Sequence, residues 1–145
     1  MSNTEKILYL DAIDEIKKLK YRYFKACDTH NTSAIASCFS EKLVLIDFEN
    51  FGVFNSAESM LKVYKEKSVK DGQTECHYGK NPVIEIKAEK ASGQWGLAYS
   101  MIDFKKSIRV NIQGFYLDTY IRQDNTWKIS SSTFRRLGTL IQKLV

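Results

Sequence analysis

The sequence predicts an α+β domain, with helices gathered in the first half and long antiparallel strands in the second. The expected architecture is a curved, mostly antiparallel sheet half-wrapped around about three N-terminal helices. Two observations carry this. Apolar residues recur at helical spacing up to Asp71-Gly72 and then take on strand-like runs rich in aromatic side chains. Long strands must also twist and curl, which leaves a pocket between sheet and helices. Residues 1–145 read as a single domain, without linker or repeat.

From Thr4 to about Cys27 the residues Ile13, Ile16, Leu19, Tyr23 and Cys27 form the apolar stripe of an amphipathic helix. Asp14, Glu15, Lys17 and Lys18 fall mostly on its wet side. The stretch Asp28-Thr29-His30-Asn31-Thr32 breaks it. A short second helix follows through Ile35, Ala36 and Phe39, with Asn31 or Thr32 as its cap. Leu43–Phe48 reads as a strand. Gly52 marks a turn, and Ser56 opens a third helix that packs through Met60, Leu61 and Tyr64 and closes at Asp71-Gly72. Strands then run at Val83–Lys87, Trp95–Phe104, Val110–Arg122 and Trp127–Arg135, with Asp124-Asn125 turning the last pair. Pro82, the only proline, precedes a strand, where its missing donor is tolerable.

Composition narrows the function by exclusion. With 43% apolar and 27% charged residues, the chain is globular rather than disordered. Its net charge of +5 is spread along the chain and forms no basic stripe, so no nucleic-acid partner is expected. No run approaches ~18 apolar residues, and the start lacks the basic-then-apolar order of a secretory signal. A non-membrane, cytoplasmic protein is expected. Cys27, Cys38 and Cys76 are odd in number, lack a C-x-x-C spacing and read as buried free thiols of a reducing compartment. His30 and His77 are the only histidines, so no metal site is expected, and no cofactor is called for.

A scattered polar set remains: Tyr23, Asp28, His77 and Arg136. A phenol, a carboxylate, an imidazole and a guanidinium are the parts needed to move a proton beside a carbonyl.

Three segments, EIKKLKYRYFKACDTHNTSAIASCF, HYGKNPVIEI and GFYLDTYIRQDNTWKISSSTFRRL, carry a family resemblance. In their order and spacing the chain resembles the SnoaL-like branch of the NTF2-like superfamily, over nearly its whole length. The resemblance implies a cone-shaped half-barrel, found in polyketide cyclases, scytalone dehydratase, bile-acid 7α-dehydratase and steroid isomerases, and also in many non-catalytic proteins. It is most similar to the dehydratase group. That group's tyrosine five residues before an aspartate fits Tyr23 and Asp28, its strand histidine fits His77, and its late arginine fits Arg136 or Arg135. The group's further carboxylate or histidine has no clean match: Tyr99 or Ser100 holds the place, and Asp103 falls a few residues later.

The implied roles stand beside plainer ones. His77 is the candidate base, with Asp28 accepting its other ring N–H; the plainer reading is a histidine bonded to a backbone carbonyl. Asp28 could equally be the polar stop of the helix, and lies about 140° around it from Tyr23. Tyr23, mid-stripe, is either a donor to an enolate oxygen or a core tyrosine; Tyr21 lies off the stripe. Asp103 shares strand parity with Tyr99 and faces either the cavity mouth or Lys105 and Lys106. Arg136 pairs with an anionic substrate group or is solvated, Asp118 is structural or interfacial, and His30 lies exposed in its loop. The expected function is a cofactor-free dehydratase-, isomerase- or cyclase-type enzyme using His–Asp proton abstraction on a small hydrophobic carbonyl compound of steroid, polyketide or aromatic type. The alternative is a non-catalytic ligand-binding or oligomerisation module. A homodimer or homotrimer is expected, to cover apolar residues on the convex sheet face.

Overall fold

Ser2 and Glu5 close a capping box that launches α1 (Asn3–Asp28). The Ser2 hydroxyl accepts from the Glu5 N–H at 3.1 Å, while the Glu5 carboxylate accepts from the Ser2 N–H at 2.6 Å. The computed structural model describes residues 1–42, 45–68 and 70–145. Helix α1 buries Ala12, Ile16, Leu19, Tyr23, Phe24 and Cys27 and stops at Thr29, whose hydroxyl donates to the Lys25 carbonyl at 2.8 Å. Asn31 caps α2 (Thr32–Ser37) by accepting from the Ala34 N–H at 3.1 Å. Ser56 caps α3 (Ala57–Lys67) in the same way through the Ser59 N–H.

Six strands form one mixed, open, curved sheet. They are β1 (Leu45–Asp47), β2 (Val53–Phe54), β3 (Gln73–Lys87), β4 (Lys90–Asp103), β5 (Ile108–Gln123) and β6 (Thr126–Lys143), in the order β2-β1-β6-β5-β4-β3. Every pairing is antiparallel except β1 with β6. Helix α1 lies across β3 and reaches β6, so the core sits between it and the inner sheet face. Ile16, Ile35, Ile46, Trp95, Tyr120 and Ile129 are almost wholly buried there. Each such aliphatic side chain contributes roughly 1.5–3 kcal/mol by leaving water.

Several boundaries differ from the sequence expectation, for physical reasons. Strand β3 begins at Gln73 and runs through Pro82 instead of starting after it. It is the free edge of the sheet, and its register with β4 shifts between Lys80 and Val83, so the proline falls in a bulge. Strand β6 continues past Arg135 to Lys143 because the first half of β5 needs a partner. The short β2 was not anticipated, and α3 ends before the Asp71-Gly72 turn. Of the strand expected at Leu43–Phe48, Leu45–Asp47 forms it, while Leu43 and Val44 lie outside the described residues. All three cysteines are free, but Cys76 is exposed and not buried, because it alternates outward on β3.

Candidate functional site

Alternation along β3 turns Glu75 and His77 beneath the end of α1 and leaves Cys76 and Tyr78 outside. Asp28, in the last turn of α1, meets His77 twice. Its Oδ1 accepts from the His77 backbone N–H at 3.0 Å and lies 2.6 Å from the imidazole Nδ1. An ionised carboxylate only accepts, so Nδ1 carries the proton and Nε2 presents a lone pair. Among the described residues Nε2 has no hydrogen-bond partner. The ring is clamped from both sides. Phe24 stacks on it at 5.6 Å and 14°, and Tyr99 meets it edge-on at 4.8 Å. Gly79 permits the stack: a Cβ there would lie 2.5 Å from the Phe24 ring.

His77 opens on a cavity of about 220 Å³ beneath α1 and α3, walled mainly by Tyr23, Leu97, Tyr99, Tyr116 and Phe134. The expected residues distribute unevenly around it. Tyr23 is buried and lines the cavity, and its hydroxyl has no oxygen or nitrogen partner among the described residues. Burial holds its pKa well above the ordinary phenol value, so it stays a neutral donor. Asp28 does not line the cavity itself; it stands behind the His77 ring beside a shallow groove, so it need not converge with Tyr23. Arg136 lies exposed at the rim, its backbone N–H donating to Glu49 Oε1 at 3.1 Å and its Nη1 to Thr139. Arg135 turns away to pair with Asp47 at 2.8 Å. Asp103 is not brought to the site. It is buried at the far end of β4, accepting from the Gln73 side chain and the Lys106 N–H, both at 2.9 Å.

Glu75 is a cavity residue that sequence reasoning missed. Its Oε2 accepts the Tyr99 hydroxyl at 2.5 Å, and its Oε1 lies 3.1 Å from His30 Nε2. His30 is therefore half-buried against the sheet, not exposed in its loop. Asp28-Thr29-His30 and Glu75-Cys76-His77 thus pair crosswise, each carboxylate with the other segment's imidazole. Burial first, then the bond to Glu75, pushes the Tyr99 phenol well above its usual range. The signal available in the sequence was Glu75-x-His77, two polar residues on one strand face.

A second charged pair lies deeper. Lys20 Nζ is 2.7 Å from Asp118 Oδ2, and both side chains are fully buried. The contact is ionic and off the line of a hydrogen bond, and the ammonium sits 3.8 Å from the centre of the Tyr116 ring. Asp118 also accepts from Tyr120 at 2.9 Å and Ser132 at 2.7 Å, so it is internal and structural, not interfacial. Burial lowers the Lys20 pKa, with Asp118 opposing.

A helical cover on a curved six-stranded sheet, with a polar cluster under the cover, defines a protein of the NTF2-like fold class. The family model described as the SnoaL-like domain matches residues 9–133, and the chain belongs to that family. Solved structures agree on the fold. A hexachlorocyclohexane dehydrochlorinase, LinA type 2, is 18% identical with a TM-score of 0.84 over 97% of this chain and 95% of that one. LinA type 3 from Novosphingobium barchaimii LL02 is 20% identical, with a TM-score of 0.81 over 94% of each chain. A scytalone-dehydratase-like protein from Novosphingobium aromaticivorans DSM 12444 is 16% identical, with a TM-score of 0.80 over 91% of this chain and 88% of that one. Comparison with curated proteins gives no match. No helix among the described residues is long and apolar enough to cross a membrane.

Proposed function

We propose that this protein is a cofactor-free lyase or isomerase that removes a proton beside the carbonyl of a small hydrophobic compound. The observation that carries the reading is the 2.6 Å contact between Asp28 and His77 Nδ1, with Nε2 left without a partner among the described residues, on a side chain lining an aromatic cavity. Asp28 fixes the tautomer and stabilises the imidazolium that forms. Nε2 takes the proton, and the Tyr23 hydroxyl donates to the carbonyl oxygen as enolate charge develops. Arg136 at the rim would hold an anionic substituent. Loss of a β-substituent then gives elimination, and return of the proton elsewhere gives isomerisation. The dehydrochlorinase and dehydratase names of the structural relatives support elimination. Exposed Leu137, Leu140 and Ile141 on β6 support association of two or three copies.

Exchange of the α-protons of 4-phenylbutan-2-one with D2O, followed by proton NMR, tests the base directly. Wild type should exchange above the buffer rate, and His77→Gln should lose about 100-fold of that gain. Exchange that is undiminished in His77→Gln removes the base and leaves a non-catalytic ligand-binding module as the better account.

A further inference from the structure

The mechanism above uses one carboxylate–imidazole pair and leaves the other idle. His30, Glu75 and Tyr99 form a continuous chain: 3.1 Å from His30 Nε2 to Glu75 Oε1, then 2.5 Å from Glu75 Oε2 to the Tyr99 hydroxyl. The chain has a direction. The His30 side chain is 24% exposed and that of Glu75 10%, while Tyr99 is a cavity wall. His30 adopts a left-handed backbone (φ 55°), which a non-glycine residue takes up at some strain. Glu75 and His77 lie two residues apart on one strand face, roughly 7 Å along β3. Tyr99 pairs directly with His77 across the strands. The His77 imidazole and a hydrogen-bonded chain that begins on the solvent side therefore open on the same small cavity.

We infer that His30, Glu75 and Tyr99 are a proton relay delivering a proton to a leaving hydroxyl, and that the substrate is accordingly a β-hydroxycarbonyl compound. The inference rests on the elimination reading of His77 given above. Hydroxide is a poor leaving group and must depart as water, whereas a halide or an acidic phenol departs unaided. In the step, His77 Nε2 takes the Cα proton, the C–H electron pair becomes the C=C bond, and the Cβ–O pair stays on oxygen. The Tyr99 hydroxyl turns to that oxygen and gives up its proton to form water. The relay starts with His30 as the imidazolium and Glu75 ionised: Glu75 takes the proton from His30 Nε2, turns its carboxyl and returns that proton to Tyr99, ending ionised as it began. One proton leaves carbon and one reaches oxygen. His77 ends protonated and His30 neutral, and both reset through solvent.

Two probes separate the arms. Water loss from 4-hydroxy-4-phenylbutan-2-one needs base and acid; loss of nitrophenolate from 4-(4-nitrophenoxy)butan-2-one needs the base alone. The readout is the ratio of the two kcat/KM values. Glu75→Gln and Tyr99→Phe should each lower that ratio about 100-fold, since a positioned general acid contributes on that order. His77→Gln should lower both rates together. Tyr99→Phe keeps the ring against His77, so it reports even if the Glu75 variant folds poorly. An unchanged ratio in both relay variants overturns the relay and spares the His77 reading. A wild type inert towards both probes overturns the elimination reading and the relay with it.

Discussion

Helix α1 is tied to the sheet at two charged points, and they differ in what is left over. At Lys20–Asp118 both side chains are fully buried, and Asp118 spends its oxygens on lysine, Tyr120 and Ser132. At Asp28–His77 the side chains remain 23% and 15% exposed, and the imidazole keeps one nitrogen without a partner among the described residues, beside a cavity. The first pair is closed: neither side chain has surface left with which to meet a ligand. The second is open. A buried ion pair is thus a fixture of the core, and a partly wet carboxylate–imidazole contact with a spare lone pair is a candidate for chemistry.

Breaking the closed pair should produce the largest effect. Lys20→Met leaves Asp118 buried without its cation, and should destabilise the fold by about 3–5 kcal/mol in urea unfolding. The double variant Lys20→Met/Asp118→Leu should recover part of that loss; no recovery would mean that packing rather than charge dominates. Asp28→Asn, by contrast, should cost only about 1 kcal/mol, because asparagine still accepts from the His77 N–H groups. A loss as large as that of Lys20→Met would erase the distinction between the two pairs.

The rim offers a third, wetter case for the same comparison. Arg135 beside Asp47 holds that carboxyl below its ordinary pKa. A group lowered on folding stabilises fully above its unfolded pKa, and loses that contribution as pH falls through the folded value. Asp47→Asn should therefore flatten the acid limb of the stability–pH curve by lowering the neutral plateau slightly, with the acid end unchanged. The thiols sharpen the contrast at the smallest scale. Cys76 should react with a thiol reagent in the native protein. Cys27, buried with its pKa pushed up to about 12, should react only on unfolding. Labelling of Cys27 at the native rate would show that the cavity side of α1 opens readily.

The sequence made the helices legible because their signals are local: the α1 stripe, the Asn31 cap and the Ser56 cap each lie within a few residues. The existence of every strand but the short β2 was legible as well, but strand length was not. The ends of β3 and β6 are set by partners elsewhere in the sheet, which no local pattern announces. The site divides along the same line. His77 and Asp28 stood out by residue type. Glu75 was hidden because β3 was expected to begin at Val83, so its shared face with His77 could not be read. Lys20 was hidden more deeply, among Lys17, Lys18 and Arg22, with its charge partner Asp118 on a distant strand. Asp103 misled by parity: it lies on the same side of β4 as Tyr99, but too far along the strand to reach the cavity.

The bulge at Pro82 has a consequence for how copies of this chain can meet. An open sheet ends in a row of free donors and acceptors onto which a neighbour's strand can zip. A strand approaching β3 meets a segment whose Pro82 has no amide hydrogen to offer and whose repeat skips beside Asn81. Lys80, Glu85 and Lys87 flank the gap with charge. The broken repeat works against an uninterrupted ladder past that point, which makes the sheet's longest edge a poor template for fibrils.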